Sequence, residues 1–162
     1  MARKRFVTSE ISTDRKIAKL AETNPMAASL WPWFITAFDD WGRMSADPVE
    51  VKLIVFPAFN FTSEQIAEFI QLYHQHEIAF YYKIDEKEYL AVNPITWYKY
   101  QTYIRHERKE NQKSKYPEPE NAPWMQKEDT TDISSATIAD NQQSSAKNLP
   151  SPSPSPSPSA SP

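Results

Sequence analysis

Asp39, Asp40, Arg43 and Asp47 cluster in the chain, and His74 and His76 stand close together further on. Carboxylates beside a cation are raw material for acid–base chemistry, and paired imidazoles for metal ligation. Neither group has the spacing that such chemistry needs. Asp47 precedes Pro48 and is better used as a helix cap, while Arg43 is better used pairing a neighbouring carboxylate. His74 and His76 are two apart on a predicted helix, so they point to different faces and cannot chelate one ion. His106 is isolated. One glycine, Gly42, cannot build a phosphate-cradling loop, and no nucleophile sits beside a plausible base. The sequence therefore predicts no catalytic residue, no metal site and no cofactor.

What remains is the chemistry of contact with an anionic polymer. Residues 1–19 set Arg3, Lys4, Arg5, Arg15, Lys16 and Lys19 against Glu10 and Asp14, a balance of +4. Residues 99–115 set Lys99, Arg105, Arg108, Lys109, Lys113 and Lys115 against Glu107 and Glu110, again +4. Tyr98, Tyr100 and Tyr103 are interleaved with the second group, either to stack on bases or to pack. Over residues 1–116 the chain holds 16 Lys/Arg against 15 Asp/Glu, and over 117–162 it holds 2 against 6. The pI thus describes the tail more than the domain. A nearly neutral domain is not the basic body of a nonspecific nucleic-acid binder, so any DNA contact must come from local patches.

The elements that must position these residues are legible from caps and periodicity. Ser12 to Ala21 reads as a short helix capped by Ser12. Asn24-Pro25 opens a second, with Ala27, Leu30, Trp31, Phe34, Ile35 and Phe38 as its apolar stripe. Pro32 lies on the outer side and predicts a kink. Gly42 suits a left-handed position just past that helix, and Arg43-Met44-Ser45 suits a short strand. Asp47-Pro48-Val49-Glu50 predicts a capping box opening a helix that stops before Pro57, and Thr62 with Gln65 predicts another. This last helix should bury Ile66, Phe69, Ile70 and Tyr73 and expose Gln65, Glu68, Gln71 and Gln75.

Ile78–Ile84 and Tyr89–Val92 read as strands. The Asp85-Glu86-Lys87-Glu88 segment between them has no glycine, which favours a loop slightly longer than a tight primed turn. Ile95 to about Lys113 reads as a further helix, with Trp97, Tyr100, Gln101 and Ile104 at helical spacing. The expected fold is α+β, a mainly helical winged helix-turn-helix with a β-hairpin wing. Its expected divisions are a basic arm (1–11), the domain (12–104), a basic extension (105–116) and a disordered acidic, Ser/Pro-rich tail (117–162). The alternating Ser/Pro run from Pro150 to Pro158 is a semi-rigid spacer, and a spacer that joins nothing further suggests a shortened form of a longer protein. With no cysteine, no signal peptide and no apolar run of about 20 residues, the expected setting is the cytoplasm, without a membrane.

A helix pair followed by a hairpin suggests DNA reading. Yet the outer face of residues 62–76 carries Glu64 and Glu68 and no Lys or Arg. Gln71 and Gln75 are left as base-edge candidates, with Lys87 in the hairpin and Lys99 beyond it. The predicted nucleic-acid contacts are therefore Arg3, Lys4, Arg5, Arg15, Lys16, Lys19, Gln71, Gln75, Lys87, Lys99, Arg105, Arg108 and Lys109.

Arg5-Phe6, Leu30-Trp31, Asp39-Asp40-Trp41-Gly42-Arg43, Phe56-Pro57, Tyr81-Tyr82, Tyr89-Leu90 and Trp97-Tyr98-Lys99-Tyr100-Gln101 follow one another in a familiar order. Over roughly residues 3–105 the chain resembles the N-terminal winged-helix domain of phage and prophage replication proteins from Gram-positive bacteria, which are related to the DnaD-like replisome organisers. The resemblance implies a role in starting phage DNA replication in the host cytoplasm. It implies DNA binding, recruitment of replication proteins such as a helicase or its loader, and homo-oligomerisation. The second domain of DnaD-like proteins has no counterpart here, which puts autonomous initiation in doubt. The alternative is an interaction or oligomerisation module of a replication complex with little direct DNA binding. A transcriptional regulator on the same scaffold is a third reading.

Overall fold

The computed structural model describes residues 4–104 and 112–126. A 3-10 helix (Ser9–Thr13) leads into α1 (Arg15–Thr23), α2 (Pro25–Ala37), β1 (Arg43–Ser45), α3 (Pro48–Val55) and α4 (Ser63–Gln75). Then come β2 (Phe80–Ile84), β3 (Lys87–Ala91) and α5 (Pro94–Tyr100). The fold is α+β and mainly helical, with one antiparallel sheet in the order β1-β3-β2. No helix among the described residues is long and apolar enough to cross a membrane.

Most helix starts follow local capping. Asn24 accepts from the Ala27 amide, with Pro25 at the first position of α2. Thr62 and Gln65 form the reciprocal capping box of α4. Two expectations are corrected. Asp14, not Ser12, caps α1 by accepting from the Lys16 and Ile17 amides, because a carboxylate serves the orphan N–H groups and the Ser12 hydroxyl is turned back to the Ser9 carbonyl. Asp47 caps α3, but its own amide donates to Ser45 Oγ rather than to Glu50, so no box closes there. Pro32 lies inside α2, which remains one helical element across it.

Ala27, Leu30, Trp31, Phe34 and Phe38 of the predicted stripe are buried, and so are Ile66, Phe69, Ile70 and Tyr73 of α4. Full burial of each large side chain contributes about 1.5–3 kcal/mol. The Tyr73 ring lies 4.9 Å from both Trp31 and Phe34, and its hydroxyl donates to the Ala27 carbonyl at 2.7 Å. That bond satisfies a phenol that would otherwise be costly to bury.

The hairpin corrects a further expectation. Ile84 pairs with Lys87, so the loop is only Asp85-Glu86, and both residues have positive φ (49° and 64°). This is a tight primed turn made without glycine, because the register of Tyr82 with Tyr89 fixes the strands two residues apart. Glu77, past the end of α4, also takes a positive φ. The one glycine stands where conformation and space both demand it. Gly42 has φ 69°, and a Cβ there would lie 3.0 Å from Trp97 Cγ.

The C-terminal expectations change most. α5 ends at Tyr100 with Gln101 as its C-cap, and the part of the expected helix at residues 105–111 lies outside the described residues. Residues 117–126, expected in the disordered tail, lie packed on the sheet. Tyr82 donates to the Pro117 carbonyl at 2.6 Å, Ala122 is fully buried, and Trp124 meets Phe80 edge-on at 5.7 Å. Few apolar residues are needed when a preformed aromatic face receives them. Residues 127–162 lie outside the described residues.

Gly42→Ala should lower stability by about 1–3 kcal/mol in chemical denaturation, through backbone strain and displacement of Trp97. Burial raises the Tyr73 hydroxyl above its ordinary pKa. The unfolded chain releases that proton near about pH 10 while the folded chain holds it, so stability is present below that pH and lost above it. Tyr73→Phe should cost about 1 kcal/mol at neutral pH and lessen the alkaline loss, as denaturation at pH 8 and 11 would show.

Candidate nucleic-acid interface

Two short segments whose contacting residues, Phe6 and Gln101, are 95 apart in sequence meet in the structure. The Phe6 amide donates to Gln101 Oε1, and Gln101 Nε2 donates to the Phe6 carbonyl, both at 2.9 Å. Gln101, 2% exposed, thereby mimics a strand partner for the N-terminal arm. The Phe6 ring meets Tyr103 edge-on at 5.0 Å, and the Tyr103 hydroxyl donates to the Lys4 carbonyl at 2.6 Å. Tyr100 donates to the Glu10 carboxylate at 2.8 Å. The arm is therefore part of the fold. Its cationic stretch is brought beside the end of α5, from which the second cationic stretch departs.

The structure gives several predicted contact residues partners within the fold. Arg5 has a side chain 1% exposed. Its guanidinium donates to the Phe38 carbonyl through Nε (3.1 Å) and Nη2 (2.8 Å), to Asp40 Oδ1 at 2.9 Å and to the Tyr103 hydroxyl. It also lies 5.7 Å from the Trp97 ring centroid. Arg5 is thus a structural residue, corrected from the phosphate-contact set: the fork of donors matches the orphan carbonyl at the end of α2 better than a mobile phosphate does. Lys99 lies 3.8 Å from Glu10 and over the Tyr100 ring, and the neighbouring Tyr100 hydroxyl, then Glu10, raise its pKa. Lys16 donates to the Glu77 carbonyl at 2.9 Å, tying α1 to the end of α4.

Lys4, Arg15, Lys19 and Lys87 are exposed and make no ion pair among the described residues. Arg15 and Lys19 share a face of α1, four residues apart. Gln71 and Gln75 are exposed on α4, with Glu64 and Glu68 on the same surface. The structure does not bring them beside the arm–α5 contact by any described bond. Arg3, Arg105, Arg108 and Lys109 lie outside the described residues.

Asp39 and Asp40 act as turn formers. Asp39, 3% exposed, accepts from the Trp41 and Arg43 amides at 2.9 Å each and from Ser114 Oγ. Arg43 pairs with Glu118 at 3.1 Å. The His74 ring accepts from the Tyr81 amide through Nδ1 at 3.3 Å. No group of three or more His, Cys, Asp or Glu among the described residues could hold a metal ion. Sequence reasoning missed Gln101 as an anchor, although a polar residue within the Trp97–Ile104 helical stripe was the available signal. It also missed the exposed apolar side chains of the predicted helix α3, Val49 (57%), Leu53 (69%) and Ile54 (55%).

No family model, curated protein or solved structure matches the chain.

Arg5→Ala should destabilise the fold by about 2–4 kcal/mol, because it leaves Asp40 and the Phe38 carbonyl without their donor. Arg5→Lys should rescue only part, since an ammonium cannot span the fork. Thermal melts of both variants check this. An Arg5→Ala protein of unchanged stability would return Arg5 to the surface set.

Proposed function

We propose that this chain is a non-enzymatic, DNA-binding accessory of phage or prophage replication with a winged-helix core. The element order supports the scaffold. α2, β1, α3, α4 and the β2–β3 hairpin succeed one another, with β3 central in the sheet. In this reading α3 and α4 are the helix pair, and the Asp85-Glu86 turn is the tip of the wing. The replication setting, and partners such as a helicase or its loader, rest on the family resemblance.

The observation that carries DNA contact is the meeting of the two cationic segments at Phe6, Gln101 and Tyr103. The described cations beside that contact are Lys4, Arg5 and Lys99, of which Arg5 and Lys99 are already paired. Lys4, Arg15, Lys19 and Lys87 are the described contact residues, and Arg3, Arg105, Arg108 and Lys109 extend the set in sequence. The acidic outer face of α4 disfavours groove reading, so binding is mainly to phosphate and weakly sequence-specific.

A second reading is favoured by the exposed apolar row on α3. Val49 and Leu53 are four apart on one face, and apolar side chains so placed commonly meet another protein. In that reading the chain is an interaction module of the same complex.

With about four phosphates contacted, affinity for duplex DNA should fall roughly a hundred-fold between about 50 and 200 mM salt. Arg15→Glu with Lys19→Glu should weaken binding by roughly ten-fold at low salt and flatten that dependence. Fluorescence anisotropy of labelled duplex reads both, and equal affinity at the two salts overturns the DNA reading. Leu53→Asp should leave DNA affinity unchanged. If it abolishes association while the salt dependence is flat, the interaction module stands instead.

A further inference from the structure

The sheet has two chemically different faces. Met44 and Leu90 point into the helical core. Register places Tyr82 beside Tyr89, Phe80 beside Ala91, and Arg43 and Ser45 beside the same strand, so alternation sends these to the opposite face. His74 of α4 meets Phe80 edge-on at 5.5 Å at one end of that face. Across the rest of it runs an irregular segment, Ser114 to Met125, that contains Pro117, Pro119 and Pro123.

The contacts form an ordered series. Tyr116 meets Tyr89 edge-on at 6.2 Å. The Pro117 carbonyl accepts from the Tyr82 hydroxyl at 2.6 Å, and Glu118 pairs with Arg43 at 3.1 Å. Arg43 also donates to the Tyr116 carbonyl at 3.4 Å. Ala122 is fully buried, and Trp124 closes the series edge-on against Phe80. The segment joins no strand of the sheet, so its hold on the face comes from side chains. Proline removes the amide donors that strand pairing would use. An aromatic-lined surface that offers a tyrosine hydroxyl to a carbonyl beside a proline reads a peptide without those donors.

We propose that the outer sheet face, built from Arg43, Phe80, Tyr82 and Tyr89, is a peptide-reading surface for acidic, proline-containing segments flanked by aromatic rings. Tyr116–Trp124 occupies it in cis, and a partner protein's segment of the same chemistry is its ligand in trans. Charge selects the occupant: Arg43 is matched by Glu118, and Glu120 follows one proline later. A single paired arginine does not supply the cations that a nucleic-acid strand needs. A second copy is disfavoured by concentration. The tethered segment acts at an effective concentration on the order of millimolar, so an identical segment on another molecule gains nothing by replacing it. A partner succeeds by fitting better.

The test uses the full chain and a fluorescent synthetic peptide reproducing residues 113–125. Glu118→Arg with Trp124→Ala loosens the resident segment without touching the face. This variant should bind the peptide at least ten-fold more tightly than the unaltered chain in an anisotropy titration. Adding Tyr82→Phe should weaken that binding roughly three- to ten-fold. A peptide carrying Glu118→Arg should bind poorly, and should recover when the variant also carries Arg43→Glu. Hydrogen exchange is the second measurement: residues 114–125 should exchange faster in the loosened variant than in the unaltered chain, with α2 and α4 unchanged. Equal peptide binding by variant and unaltered chain, with no change in exchange, overturns the proposal. A mass that doubles with concentration only when residues 114–125 are intact assigns the trans occupant to a second copy and overturns the partner. Binding of a single-stranded oligonucleotide in place of the peptide overturns the peptide chemistry.

Discussion

The seat of Trp97 on the Asp39–Arg43 turn is the contact on which the rest of the structure depends. Gly42 gives the indole a surface without a Cβ, and the Trp97 ring nitrogen donates to the Asp40 carbonyl at 3.1 Å. Phe38 packs on the same indole at 5.6 Å, and Arg5 covers it from the arm. The Gly42 carbonyl meanwhile accepts from the Val92 amide at 2.9 Å. One turn thus joins the end of α2, the sheet, α5 and the N-terminal arm. Buried Asp39 holds the turn by accepting two of its backbone amides, which a mobile loop would leave to water.

Several cations of the described residues join elements of the fold to one another. Arg5 closes the end of α2, Arg43 reaches Glu118, and Lys83 meets Glu88 at 2.9 Å. In a domain with one glycine and no cysteine, guanidinium and ammonium groups serve as fasteners between elements. Lys4 on the arm, Arg15 and Lys19 on α1 and Lys87 in the hairpin remain exposed without an ion pair among the described residues. Charge counted along the sequence does not separate cations that join elements from those left to solvent.

The sheet shows the same economy of parts. Its inner face belongs to the helical core, and its outer face is closed by a segment too poor in apolar residues to fold alone. Tyr116, Ala122 and Trp124 suffice because Phe80, Tyr82 and Tyr89 are already held in register by the hairpin. Ordering entropy is offset by a few large rings when one side of the contact is preorganised.

Local chemistry settled most of the elements in advance. Asn24-Pro25, Asp47-Pro48 and Thr62 with Gln65 each act within a few residues, so the starts of α2, α3 and α4 could be read from sequence, as could the buried faces of α2 and α4. The positive φ of Gly42 was legible for the same reason, but the indole above it was not. The burial of Arg5, the inward bonds of Gln101 and the docking of Tyr116–Trp124 were decided by partners far away in the chain. A cap or a periodic stripe is an interaction between neighbours and is written in their order. A bond between Phe6 and Gln101 has no local signature, and only closing the chain on itself creates it.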